Sequence, residues 1–317
     1  MKRVMIPTAL AIALSITLIT QQANAQQTLQ EQLGYNKNTR LVILHADDLG
    51  MSHSVNTATF DALTKGPVNS SAIMVPAPWF NEVVAFAAQH PKADLGLHLT
   101  LTSEWKNIKW GPVAPAPEVP GLVNRQGFLY SSVDSVYRTA TVAEVEKELR
   151  AQIERARAAG IDITHLDSHM GTLFGRADYF KVLIRLGKEY KLPVMLSKAI
   201  FLTAFHVNLD TLHPDAGLAL NMLYMANPAD YQKGMNNFYA GVLKTLPAGV
   251  SEIIFHLGYD DSELKGATAG HDDYGAAWRQ ADYNFFTSEE CRKLLKQQNI
   301  QLVTWREIRD RIIRKDE

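Results

Sequence analysis

The sequence predicts an α/β fold: a single (β/α) barrel, TIM-barrel-like but irregular, carrying a helical insertion and a proline- and tryptophan-rich loop. Three observations lead there. Short apolar runs of strand length alternate with amphipathic stretches of helical period through most of the chain, as a parallel sheet with crossover helices requires. Ionisable residues gather in or just after several of those runs, where a barrel displays its strand ends. The chain has 317 residues, 46% of them hydrophobic and 21% charged, and one barrel of roughly 250 residues absorbs most of that length without an internal repeat.

Residues 1–25 read as a secretory signal peptide. Met1, Lys2 and Arg3 form a basic start, residues 4–20 are apolar, and Ala23-Asn24-Ala25 is a small-x-small cleavage site. The expectation is an exported protein, periplasmic or secreted, with no stable membrane span after cleavage. Residues 26–40 then form a polar tail and lead-in, and residues 41–317 form the barrel domain. Lys and Arg number 32 against 33 Asp and Glu, with no basic stripe, which argues against nucleic acid and anionic membranes as partners. The one cysteine, Cys291, permits no intramolecular disulfide and reads as a small buried apolar residue in a helix.

The first strand, residues 41–46, runs into Asp47, Asp48 and Gly50. Two adjacent acids there suit either a helix cap or chemistry, and these residues alone favour neither. A helix over 54–64 follows, with Val55, Ala58, Ala62 and Leu63 on one stripe and Gly66-Pro67 as its stop. Residues 70–75 read as a strand and 79–89 as a second helix. In the strand 94–101, Leu95, Leu97, Leu99 and Leu101 share one face while Gly96, His98 and Thr100 share the other. Residues 102–120 hold Trp105 and Trp110 among four prolines, either a flap over the core or a wall against which a sugar ring could stack.

A helix over 141–159 opens with Thr141 and Glu144 at capping-box spacing and stops at Gly160. In the strand 161–170, His165, Asp167 and His169 point the same way. Residues 180–190 read as a helix, 194–196 as a short strand, and 197–239 as a helical insertion broken by Pro214 and Pro228. The strand 251–258 carries Glu252 and His256. A helix over 288–298, a strand over 301–304 and a basic helix over 305–315 complete the chain. One carboxylate and two imidazoles gathered at such strand ends can hold a divalent ion with positions open for substrate.

These residues carry a family resemblance. Ala46-Asp47-Asp48-Leu49-Gly50, the segment from Gly96 through His98 to Thr102, Thr164-His165-Leu166-Asp167-Ser168-His169, and Glu252 with His256 resemble, in order and rough spacing, the motifs of the YdjC-like carbohydrate deacetylases. That group includes chitooligosaccharide deacetylase and hopanoid-associated deacetylase. The resemblance implies a (β/α) barrel that removes N-acetyl groups from an amino sugar or oligosaccharide. It also implies one divalent ion, zinc or magnesium, on Asp48, His98 and His169, with Asp47 as general base and His256 as a general acid of near-neutral pKa. Asp167 and Glu252 are expected to orient a ligand or catalytic histidine. His165 lies too far along its strand from His169 to share one ion with it, and Arg279 is a weaker candidate for substrate contact, reading more readily as a solvated surface residue. The sequence departs from the family where Met170, Gly171 and Thr172 follow His169, and where Leu257 and Gly258 follow His256. Two other classes stay open, another metal-dependent hydrolase on this barrel (an amidase or a phosphodiesterase) and a non-catalytic glycan-binding protein.

Overall fold

The computed structural model describes residues 27–204, 206–209 and 218–315; the predicted signal peptide lies outside the described residues. Among the described residues seven strands form one parallel sheet: β1 (Arg40–Leu49), β2 (Ser70–Ile73), β3 (Leu95–Leu99), β4 (Ile163–Ser168), β5 (Met222–Met225), β6 (Gly249–Phe255) and β7 (Ile300–Leu302). Their order is β4-β3-β2-β1-β6-β5, with β7 paired to the start of β1. Two isolated parallel bridges, Leu166 with Val194 and Ser197 with Leu220, join the outer strands through residues 193–198. Hydrogen bonds from Met195 to Leu166, from Leu220 to Leu196 and from Asn221 to Val250 carry the ring round. The predicted barrel is therefore present, irregular at this closure.

Alternation along β1 sets inside from outside. Val42, Leu44 and Ala46 pack outward with Trp278, Phe285 and Phe286, while Leu41 and Ile43 pack with Val250, Ile254 and Trp305. His45 and Asp47 continue that inner row, so the interior passes from apolar at the amino end to polar at the carboxyl end. Trp305 plugs the base: its indole donates to Glu252 and its backbone N–H to Asp94.

Most predicted elements are present. The helix His53–Lys65 is capped by Ser52, whose side chain accepts from Val55. The helix Val142–Ala158 has the Thr141 and Glu144 capping box. On its buried stripe Glu148 accepts the backbone N–H groups of Val113 and Ala114, and Gln152 pairs with both backbone groups of Thr100. That helix thereby pins the loop following β3. Cys291 is fully buried, and burial pushes its thiol up to about 12.

The structure differs from expectation in four places. Residues 28–33 are no mere tail, because Thr28 caps the turn Leu29–Gln32 and buries Leu29 and Leu33 beside Leu41 and Val250. The segment 197–239 includes β5 besides helices, four residues of which three are partly buried and Met225 is exposed, with no strong alternation. Residues 259–287, for which the sequence suggests no element, contain the helices Ser262–Ala267 and Ala276–Phe286. Strand β4 ends at Ser168, and His169 begins a tight turn in which Met170 has φ 52°.

Candidate active site

Neighbouring side chains on a regular strand face opposite ways, yet Asp47 and Asp48 both line one cavity of about 730 Å³ at the carboxyl end of the barrel. The backbone explains it. Asp48 has φ 65°, in the left-handed region, and the pairing of β1 with β2 shifts register between Ala46 and Leu49. Such an irregularity re-aims a side chain. Gly50 follows at φ 103°, where a Cβ would meet the Met74 carbonyl at 3.2 Å, and its N–H donates to Asn56.

Around Asp48 stand three groups from other elements. Its Oδ1 is 3.6 Å from Nε2 of His98 on β3 and 3.5 Å from Nδ1 of His169 in the turn after β4. Its Oδ2 accepts from Arg279 at 2.6 Å. Each histidine is held from behind. His98 Nδ1 lies 2.6 Å from Asp167 Oδ1, and His169 Nε2 lies 3.0 Å from Glu104 Oε2.

Charge follows from these contacts. Burial would raise Asp48, but Arg279 and the histidines hold it well below the usual carboxylate range. Burial would lower His169, but Glu104 and Asp48 raise it to about 10. His98 is also raised, against burial, by Asp47 and Asp167. His256 goes the other way: burial brings it down to about 4, with Arg279 assisting. The near-neutral value expected for His256 is thus corrected.

A divalent cation fits Asp48, His98 and His169. Asp48 Oδ1 is buried without a hydrogen-bond partner among the described residues, and the three residues bring one donor atom each within 4.8 Å of the others. One carboxylate with two imidazoles, each imidazole oriented by a second carboxylate, is a donor set suited to zinc or a similar ion.

The remaining candidates divide. Asp47 borders the cavity with its Oδ1 3.0 Å from His45 Nε2 and 3.5 Å from His98 Nδ1. His256 lines the same cavity, its ring edge-on to Tyr274 at 5.1 Å. Trp105 forms part of the wall, 5.6 Å from the Arg279 guanidinium. Trp110 does not: it is buried in the core, its indole donating to the Thr102 carbonyl. Arg279 is no surface residue, being fully buried, with Nε donating to the Tyr274 carbonyl. His165 lies deeper, stacked on Trp305. Glu252 faces His45 instead of a cavity histidine.

Sequence reasoning missed His45 and Glu104. The position of His45 two residues before Asp47 on a strand was the available signal. Glu104, in an aperiodic loop, offered none.

Comparison with known proteins places the chain in a family. The chain is 29% identical over 268 residues to a carbohydrate deacetylase of Brevibacillus brevis, a match covering 84% of this chain and 99% of the relative. It is 36% identical over 172 residues to a carbohydrate deacetylase of Thermus thermophilus, covering 54% of this chain and 59% of that one. Among solved structures, a protein of Enterococcus faecalis described as a cellobiose-phosphate cleavage protein superposes with a TM-score of 0.71 at 23% identity, covering 84% of this chain and 98% of the other. A family model described as YdjC-like protein matches residues 41–297, and the chain belongs to that family.

Proposed function

We propose that this protein is a metal-dependent hydrolase that removes the N-acetyl group from an amino sugar or oligosaccharide. The observation that carries the proposal is the unpartnered Asp48 Oδ1 facing His98 and His169 with Asp47 beside it, in a chain whose relatives are named carbohydrate deacetylases. Asp48, His98 and His169 would hold one divalent ion, zinc or magnesium. When bound, such an ion polarises a carbonyl and makes water more acidic.

The protein's own groups supply the rest. Arg279 holds Asp48 Oδ2, which leaves Oδ1 facing the histidines. Asp167 and Glu104 fix which nitrogen each histidine presents. Asp47 is the general base that takes a proton from the attacking water. An amine leaves poorly unless protonated, and we assign that delivery to His256. Since His256 sits at about 4, it begins neutral, and the proton it hands to the amine is the one Asp47 has taken from the attacking water. Arg279 and Trp105 form part of a wall against which a sugar can rest, and Met170, Phe174, Met195, Leu223 and Met225 add apolar lining to the cavity.

Export through the segment 1–25 would place this activity outside the cytoplasm, on glycan fragments met there. The test is acetate release from a panel of acetylated amino sugars by purified protein supplied with zinc or magnesium. Acetate from at least one member, abolished by Asp48→Ala, is the expected result. Release of phosphate or of another amine product with no acetate would redirect the assignment to a different hydrolase on the same barrel.

A further inference from the structure

Beneath the candidate active site, the barrel interior gathers four carboxyl groups around three histidines. Asp47, Asp94, Asp167 and Glu252 are all buried there, and the ion-pair partners found for them within 4 Å are histidines: His45, His98 and His165. A cluster of this kind requires protons or a cation.

Three fully buried residues, His45, His165 and Asp167, bring one donor atom each within 4.8 Å of the others. Asp167 Oδ2 is 3.4 Å from His45 Nε2 and 3.9 Å from His165 Nε2. Two ligands bound at 2.0–2.2 Å to one tetrahedral ion stand roughly 3.4 Å apart. Asp167 Oδ2 and His165 Nε2 also have no hydrogen-bond partner among the described residues, a cost that an ion between them would remove.

The far side of each ring is prepared as metal-bound histidines require, with a polar group on the second nitrogen. His45 Nδ1 is 2.9 Å from Ser70 Oγ and 3.3 Å from Glu252 Oε1. His165 Nδ1 is 3.0 Å from Thr164 Oγ1, with Asp94 Oδ1 at 4.0 Å. Room for the His165 ring comes from Gly96 on β3, where a Cβ would approach that ring to 2.3 Å.

We propose that His45, His165 and Asp167 form a second divalent-cation site, inside the barrel and separate from Asp48, His98 and His169. The donor set of two imidazoles and a carboxylate suits zinc. Strands β1 and β4 are not neighbours in the sheet, so the ion ties them together across the interior. Asp167 belongs to both levels, because its Oδ1 holds His98. The site stands whether or not the cavity above it removes acetyl groups.

The test counts zinc in purified protein that has been stripped with chelator, reloaded with zinc and dialysed. Two zinc ions per chain are expected, falling to one in His165→Gln and to one in Asp48→Ala. The Asp48→Ala variant leaves the interior donors untouched, so it decides the matter even if His165→Gln fails to fold. Anomalous scattering at the zinc edge should give a peak among His45, His165 and Asp167 in both wild type and Asp48→Ala. No zinc in Asp48→Ala, or an anomalous peak only beside Asp48 in the wild type, would overturn the proposal and leave a proton on His45 as the balancing charge.

Discussion

Glu104 Oε2 lies 3.0 Å from Nε2 of His169, while the other nitrogen of that ring faces Asp48 at 3.5 Å. A loop carboxylate therefore decides which side of His169 points at the proposed ion. Replacing an outer partner of this kind costs roughly 10–100-fold in metal affinity. Glu104→Ala should weaken zinc binding by about that factor in a competition titration, and an unchanged affinity would show that Glu104 has no part in orienting the ligand.

The same contact makes binding dependent on pH. With His169 held at about 10, the metal-free site keeps a proton at pH 7 that an incoming cation must displace. Apparent affinity should rise between pH 6 and 8, by up to about tenfold per unit for each proton released. Proton release measured by calorimetry in buffers of different ionisation enthalpy checks this. No release at pH 7 would exclude His169 as a ligand.

Asp47 should be separable from the ligands. Asp47→Asn is expected to keep the cation beside Asp48 while acetate release falls roughly 10²–10⁴-fold, the usual weight of a general base. Loss of that cation together with the activity would make Asp47 a ligand and not the base.

Metal-free protein should lose stability as pH rises from 6.5 to 8.5. Burial raises Glu148 and Asp282 to about 7 and Glu252 to about 8. His169 reaches about 10, where Glu104 and Asp48 outweigh burial. All four folded-state values exceed the ordinary ones, so the stability they confer is complete below the unfolded pKa and is lost as pH passes the folded one. Across this window the folded chain binds more protons than the unfolded chain, and each group contributes up to about 1.4 kcal/mol per pH unit within its own interval. His256, lowered to about 4, opposes the trend only below 6.5. Urea midpoints of chelator-treated protein should be lower at pH 8.5, and a higher midpoint there would contradict the assignment.

Gly96→Ala tests the interior sterically. The added carbon would fall 2.3 Å from the His165 ring, which Trp305 backs from another side. Overpacking of this kind costs about 1–3 kcal/mol. A thermal scan should show that loss, and a variant as stable as the parent would mean that the ring has somewhere else to go.

Most of the barrel was legible because its elements announce themselves locally. The leucines of β3 alternate over a regular strand, and Thr141 and Glu144 mark a helix start whatever lies around them. β5 was not legible, since Met222–Met225 is short, only partly buried and free of β-branched residues. Helix Ala276–Phe286 begins at Gly275 without a side-chain cap and buries Arg279 and Asp282 among Trp278, Phe285 and Phe286, so charge interrupts its apolar stripe. The site shows the same division. Asp48, His98 and His169 lie in or just after strands and could be collected from sequence, and the fold brings them together. His45 was hidden by its apolar neighbours in β1, and Arg279 by its charge, because a sequence does not reveal that a carboxylate 231 positions away will bury it.

The left-handed residue in β1 has one more consequence. Because Asp47 and Asp48 are consecutive, their spacing is inherited from covalent geometry, with adjacent Cα atoms about 3.8 Å apart across a trans peptide. His98, His169 and Arg279 arrive on separate elements, so their distances from the acids depend on how those elements pack. The spacing of the two acids along the chain does not depend on that packing. Two carboxylates with unlike partners are thus locked in step by a single peptide unit, and the other elements have only to come to them.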